Sequence, residues 1–160
     1  MAIGRFTFHR FNGVEEYSLI SATMLAVHEE DGICLWFEAK TDGVRLQSLA
    51  DTAELHARPN AEVGVALQEL DPNKLVGKRF TVPSGYDEKI EDHFATIYYV
   101  EHAGLNENEI EVTAQEGNVF HVHWKGTTTD VNFYDGSKPK TRVEIDGYFT
   151  FKDMQKWLRT

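Results

Sequence analysis

The stretch that decides the fold runs from residue 109 to residue 125 and reads EIEVTAQEGNVFHVHWK. Apolar and polar side chains alternate on both sides of a three-residue loop at 116–118, and this period of two is typical of an antiparallel hairpin. The pairs predicted for the apolar face are Ala114 with Phe120, Val112 with Val122 and Ile110 with Trp124. The pairs predicted for the polar face are Thr113 with His121, Glu111 with His123 and Glu109 with Lys125. We therefore expect a sheet with one buried and one exposed face here.

The same alternation recurs from one end of the chain to the other. It predicts strands within 5–9, 20–30, 33–40, 63–67, 78–82, 94–100, 131–134 and 142–151. Segments 20–30 and 33–40 are predicted to form a second hairpin about Asp31-Gly32, with Ala26 opposite Phe37. Both faces of this hairpin are largely apolar, so we expect it to be covered on two sides. The prediction is a mainly β fold, either an antiparallel β-sandwich or a β-barrel.

Two segments carry helical spacing. Apolar residues in 46–57 recur at helical intervals and Pro59 follows, which favours one helix near residues 46–57. The alternative for the start of this segment is a third strand over 44–47, turned back at Asp42-Gly43. At the carboxyl terminus, Met154, Trp157 and Leu158 predict a short helix that begins near Asp153.

Length and charge limit the classes of partner. The chain has 160 residues, which is the usual size of one domain, and we expect residues 1–160 to form a single globular β domain. Its 26 acidic and 16 basic residues give a formal net charge of −10, which would repel a phosphate backbone and suits a protein partner with a basic surface. The sequence has no apolar run near the ~18 residues that span a bilayer and no export leader. The lone Cys34, in an apolar strand, is expected to be a buried, inert thiol. The prediction is a cytoplasmic protein that binds neither nucleic acid nor membrane.

One constellation of residues has the chemistry of a metal site. His121 and His123 are two residues apart on a strand and so share a face, and Glu111 is predicted to lie opposite His123. Two imidazoles and a carboxylate with an open position for water are typical ligands of a catalytic divalent metal. The alternative is that these side chains are ordinary cross-strand partners on an exposed face. The sequence therefore offers His121, His123 and Glu111 as candidate metal ligands.

Three functions remain open at this stage. The first is a non-catalytic binding or protein-interaction domain, since Tyr86, Tyr99 and Tyr134 lie near acidic residues and tyrosine is frequent in recognition surfaces. The second is a small metal-binding protein or metal-dependent enzyme that uses the His-x-His pair. The third is a β-barrel that binds a small apolar ligand. No residue pattern here decides whether the chain is an enzyme.

Overall fold

A computed structural model describes residues 3–11, 13–30, 32–47, 58–87, 92–98, 102–130 and 137–154. Within these ranges the chain is nearly all strand, and the one helical element is a 3₁₀ turn at Pro72–Lys74. The strands are β1 (Gly4–Arg10), β2 (Gly13–Glu29), β3 (Gly32–Gln47), β4 (Asn60–Leu67), β5 (Arg79–Val82), β6 (Tyr86–Asp87), β7 (Asp92–His93), β8 (Ala95–Tyr98), β9 (His102–Gly104), β10 (Asn106–Glu116), β11 (Val119–Thr128) and β12 (Thr141–Asp153). The predicted mainly β, antiparallel class is confirmed.

Ten of these strands form one open sheet in the order β5-β10-β11-β12-β1-β2-β3-β4-β8-β9, and β6 pairs with β7 separately. Neighbours along this order are antiparallel. One further contact is parallel: β12 and β2 pair directly from Thr150 opposite Thr23 to Asp153 opposite Ala26. β9, the last strand in this order, continues into β10 with Leu105 alone between them.

The core lies on the inner face of this sheet because the sheet curls back over itself. The Phe37 ring of β3 lies 6.0 Å from the Phe149 ring of β12 and 6.5 Å from the Phe80 ring of β5, measured between centroids. Trp124 is fully buried beside them, and its indole nitrogen donates a hydrogen bond of 2.9 Å to the side chain of Asn108. Strands that are far apart in the order therefore share one hydrophobic interior.

The hairpin of β10 and β11 confirms four of its six predicted pairs and corrects two. Ile110, Glu111 and Val112 lie opposite the expected residues, as does Glu109. A bulge at Thr113 then shifts the register by one, so that His121 faces Ala114 and Phe120 faces Gln115. The turn has two residues rather than three, and its first residue, Gly117, has φ of 62°. Glycine at that position favours the two-residue turn, and the bulge returns Phe120 to the core.

The hairpin of β2 and β3 is displaced by two residues from its prediction. Phe37 faces Met24, and Ala26 faces Leu35, because the turn lies at 30–31 and Gly32 already pairs with Glu29. A shift of two residues keeps every side chain on its own face, so the alternation alone did not reveal it. The predicted reversal at Asp42-Gly43 is wrong, because β3 bulges between Thr41 and Arg45 but continues to Gln47, where it pairs with Glu16.

Both predicted helices fall mainly outside the described residues. Positions 46 and 47 belong to β3, and the remainder of 46–57 is not described. At the carboxyl end β12 continues to Asp153, and Met154 donates its amide hydrogen to the Ala26 carbonyl oxygen. Residues 155–160 lie outside the described ranges, as does the strand predicted over 131–134.

Candidate functional site

One face of the sheet carries the residues that the sequence singles out as metal ligands. Strands β1, β12, β11, β10 and β5 are consecutive neighbours, and inward and outward side chains alternate along them. We call the outward-facing side chains of these five strands the charged face. Its titratable members include Arg5 and His9 on β1, Arg142, Glu144, Asp146 and Lys152 on β12, His121, His123 and Lys125 on β11, Glu107, Glu109 and Glu111 on β10, and Arg79 on β5.

The sign of the charge alternates from strand to strand across the charged face. The row on β10 consists of three glutamates, and the neighbouring row on β11 consists of two histidines and a lysine. The row on β12 carries carboxylates at its centre, Glu144 and Asp146, with Arg142 at one end and Lys152 at the other, and the rows on β1 and β5 are basic. Opposite charges directly across a strand pair stabilise a sheet by roughly 0.2–1 kcal/mol each. The pattern therefore forms a set of charge stripes that run parallel to the strands.

The two predicted histidine ligands turn toward β12. His121 bonds through Nε2 to the Asp146 carboxylate at 2.7 Å, and its Nδ1 contacts the Thr113 hydroxyl. His123 bonds through Nε2 to the Glu144 carboxylate at 2.8 Å. The carboxylates that these imidazoles contact thus belong to β12 and not to β10.

The third predicted ligand turns the other way. Glu111 lies opposite His123 in the register, as predicted, but its carboxylate is paired with the Arg79 guanidinium on β5. Among the residues that the structure describes, no group of three or more His, Cys, Asp or Glu side chains is arranged to hold a metal ion. The divalent metal site at His121, His123 and Glu111 stays a prediction, and it requires these side chains to exchange their present partners.

Glu144 is the most highly connected carboxylate of the charged face. Its two oxygens contact His123 at 2.8 Å and His9 at 3.2 Å, from opposite sides. The hydrogen bond from His123, aided by the one from His9, lowers the pKa of Glu144 below its usual range, and partial burial opposes this shift only in part. The side chain is therefore a stable anion at neutral pH.

Tyr148 extends the β12 row of the charged face with a large exposed ring. Its side chain is 56% exposed, and the ring centroid lies 5.1 Å from that of His121. Tyr148 was not predicted as a binding residue, although the outward alternation of 142, 144 and 146 leads directly to 148. Of the three tyrosines predicted for a recognition surface, Tyr86 is 42% exposed, whereas Tyr99 and Tyr134 lie outside the described residues.

Two shallow depressions lie side by side on the charged face, with volumes of about 270 and 300 Å³. Both are lined by Glu109 and Lys125; the first also reaches His123 and the second reaches Glu144. Small apolar ligands are usually held by apolar and aromatic walls. These charged linings suit contact with a polar or charged group instead.

A second unusual cluster lies inside the sheet and is fully buried. The Arg10 guanidinium donates two hydrogen bonds of 2.9 Å to Asp130 and one of 3.0 Å to Glu15. The Tyr17 hydroxyl donates to Glu15 at 3.1 Å, and the Thr141 hydroxyl donates to Asp130 at 3.1 Å. Burial alone would lower the pKa of Arg10, but the hydrogen bonds and charges of both carboxylates outweigh it and raise that pKa. We call these five residues the buried ionic network.

Comparison with known proteins gives no relative for this chain: no family model, no curated protein and no solved structure matches it. A search of the described residues for helices long and apolar enough to cross a bilayer finds none. Its chemistry must therefore be argued from its own residues.

Proposed function

We propose that this chain is a non-catalytic protein-binding domain and that the charged face, with Tyr148 at its side, is the binding surface. The observation that carries the proposal is the exposed Tyr148 ring on a rigid strand, next to Asp146 and in contact with His121. Tyrosine is enriched among the residues that dominate binding energies at protein interfaces, because it offers a large contact area at low entropic cost.

The charges around Tyr148 support a binding role in a second way. His121 and Asp146 are held by each other at 2.7 Å, so they keep a fixed arrangement rather than moving as loose surface chains. A preorganised set of charges loses little conformational entropy when a partner docks. Complementary charge then contributes mostly to partner choice and association rate.

We propose a cytoplasmic protein partner with a basic surface. The formal net charge of −10 supports this choice, since it would steer a basic protein toward the chain and repel nucleic acid and anionic membrane surfaces. We further propose that residues 1–160 form one domain and that the sheet closes into a filled β-barrel. Support for the closure comes from the short link through Leu105 between β9, one end strand of the order, and β10, the strand next to the other end.

The test is capture of a partner by the full chain, followed by titration with that partner in purified form. Replacement of Tyr148 by alanine is expected to weaken binding at least about tenfold, as loss of an interface anchor does. Tyr86→Ala is the matched control, because that tyrosine is also exposed but lies away from the charged face. Absence of any stoichiometric partner at every salt concentration would refute a binding domain. A Tyr148→Ala variant that binds like the wild type would refute the surface.

A metal-dependent function is the second candidate, and one observation favours it. His121 and His123 point their Nε2 atoms to the same side, and both imidazoles remain partly exposed. Zinc, nickel and iron added to the purified chain should then raise its Tm, and His123→Ala should abolish the rise. Unchanged Tm with all three metals, together with metal-free protein after purification without chelators, would rule this function out. The apolar-ligand barrel stays a prediction from the sequence.

A further inference from the structure

The charge stripes have a geometric property that a mixed surface lacks. A two-fold axis that runs parallel to the strands, above the boundary between two stripes of opposite sign, places each of these two stripes of one copy over the stripe of opposite sign on the other. The boundary between β11 and β12 is such a line, because histidines and a lysine lie on one side and carboxylates on the other. Interfaces of this isologous kind are the commonest in soluble homo-oligomers.

We propose that the charged face is self-complementary and that a second copy of this chain docks on it about this axis. The inference rests on the proposed function, since it uses the same binding surface, and it puts a second copy of this acidic chain in place of the basic partner proposed above. The sheet register fixes which residues meet. A rotation about an axis parallel to the strands leaves the position of each residue along the strands unchanged. Each β11 residue of one copy therefore faces a β12 residue of the other copy, and it is the same β12 residue that lies opposite it in the register of a single chain.

The register gives three central contacts, each made twice by symmetry. Lys125 lies opposite Glu144 and His123 lies opposite Asp146 within one chain, so the same two pairs form between the copies. One strand further out, β10 of one copy lies over β1 of the other. Glu111, His123, Asp146 and Arg5 share one row, which places Glu111 over Arg5 of the second copy. The Lys125 contact with Glu144 and the Glu111 contact with Arg5 join opposite charges, and the His123 contact with Asp146 joins an imidazole to a carboxylate.

Tyr148 gives this interface an anchor close to the axis. It lies opposite His121 in the register and therefore stacks on His121 of the second copy. Its exposed ring loses its contact with water in the dimer and keeps a polar hydroxyl at the edge, which suits interface aromatics. The net charge of −10 on each copy opposes association, so we expect a weak, reversible dimer.

The dimer is tested by sedimentation of the full chain over a range of concentrations, with two complementary charge variants. Lys125→Glu and Glu144→Lys each place like charges against each other between copies, and each variant alone should be monomeric. Mixed together, they should form a heterodimer in which both trans pairs are again opposite in sign. Repulsion within each chain is the same alone and in the mixture, so recovery on mixing reports only the contact between copies.

Two controls separate this surface from general charge effects. Lys40→Glu makes the same charge change on β3, away from the charged face, and should leave the association within about twofold of wild type, since distant surface charges are screened. Tyr148→Ala should weaken association about tenfold or more.

The outcomes distinguish the dimer from the binding function beneath it. A wild-type chain that stays monomeric at all concentrations, or variants that fail to associate on mixing while circular dichroism shows them folded, overturns the dimer. If a foreign partner is then lost in Tyr148→Ala, the proposed binding function still stands. If neither a dimer nor a foreign partner depends on Tyr148, both fail.

Discussion

Removal of the Asp130 carboxylate should destabilise the protein more than removal of any exposed ionic contact. Asp130 accepts two hydrogen bonds from Arg10 and one from Thr141, and the side chains of Arg10 and Asp130 are 1% and 0% exposed. Asp130→Ala leaves a buried guanidinium with Glu15 as its carboxylate partner in the buried ionic network. Breaking a buried ion pair from one side costs about 3–5 kcal/mol, since the remaining charge stays out of water.

The assay is urea unfolding followed by circular dichroism, with Arg5→Ala as control. Arg5 is also an arginine bonded to a glutamate, Glu16 at 3.3 Å, but its side chain is 67% exposed, and such surface pairs contribute about 0–1 kcal/mol. For a domain of this size a loss of 3–5 kcal/mol lowers the Tm by roughly 6–20 °C.

A double variant completes this test. Each single variant loses the contact between Arg10 and Asp130, and Arg10→Met combined with Asp130→Ala loses it only once, so the double variant's loss of stability should be smaller than the sum of the two single losses, although Glu15 no longer receives its hydrogen bond from Arg10. Two results would refute this reasoning: Asp130→Ala unfolds no more readily than Arg5→Ala, or the two single losses in free energy of unfolding add up to that of the double variant. Either result would mean that burial of the network does not determine its contribution to the free energy of unfolding.

Three further predictions concern single positions. Gly85→Ala should lower the free energy of unfolding by about 1–3 kcal/mol through overpacking, because a Cβ there would lie 2.4 Å from the Ala95 carbonyl oxygen. Gly104→Ala is the control and should be tolerated, because the atom nearest to its added Cβ is 3.9 Å away. Equal Tm values for the two variants would contradict this prediction. Cys34 should react slowly with iodoacetamide at neutral pH in the folded chain and rapidly in urea. The reason is that burial, with the charge of Glu29, raises the pKa of its thiol to about 11. Fast labelling of the native chain would refute this prediction. The lowered pKa of Glu144 means that its ionised form stabilises the fold at neutral pH and that this contribution is lost as the pH falls through the lowered pKa. Glu144→Gln should therefore flatten the acid side of a plot of Tm against pH. An unchanged acid side would contradict this prediction.

Local sequence pattern was sufficient for the long strands and for the faces of most of their residues, but not for the short strands β6, β7 and β9 or for Ala114, which was predicted for the apolar face and is exposed. The alternation around Val122 and Trp124 placed these residues in the core and His123 outside, because a strand turns each successive side chain to the opposite face. The register of the strand pairs was harder to predict from the sequence. The slip that sets Phe37 opposite Met24 keeps the same faces, and the bulge at Thr113 has no signal in the pattern.

The partners of the histidines could not be predicted, because they depend on the order of strands in space. The sequence supplied Glu111 from the adjacent strand of the same hairpin, but the carboxylates that His121 and His123 contact come from β12, the strand on the other side. Which strand joins β11 on that side is set by packing of the whole chain. The buried ionic network has the same cause, since Arg10 and Asp130 are 120 residues apart in sequence.

The position of β1 between β2 and β12 affects how the protein can fold while it is being synthesised on the ribosome. One edge of β1 can pair with β2 as soon as the first hairpin emerges, but the other edge waits until Thr141–Asp153 has been translated. Contacts so distant along the chain form slowly, and an unsatisfied strand edge invites pairing with other nascent chains. We expect the growing polypeptide to need shielding by a chaperone until its last strand is made.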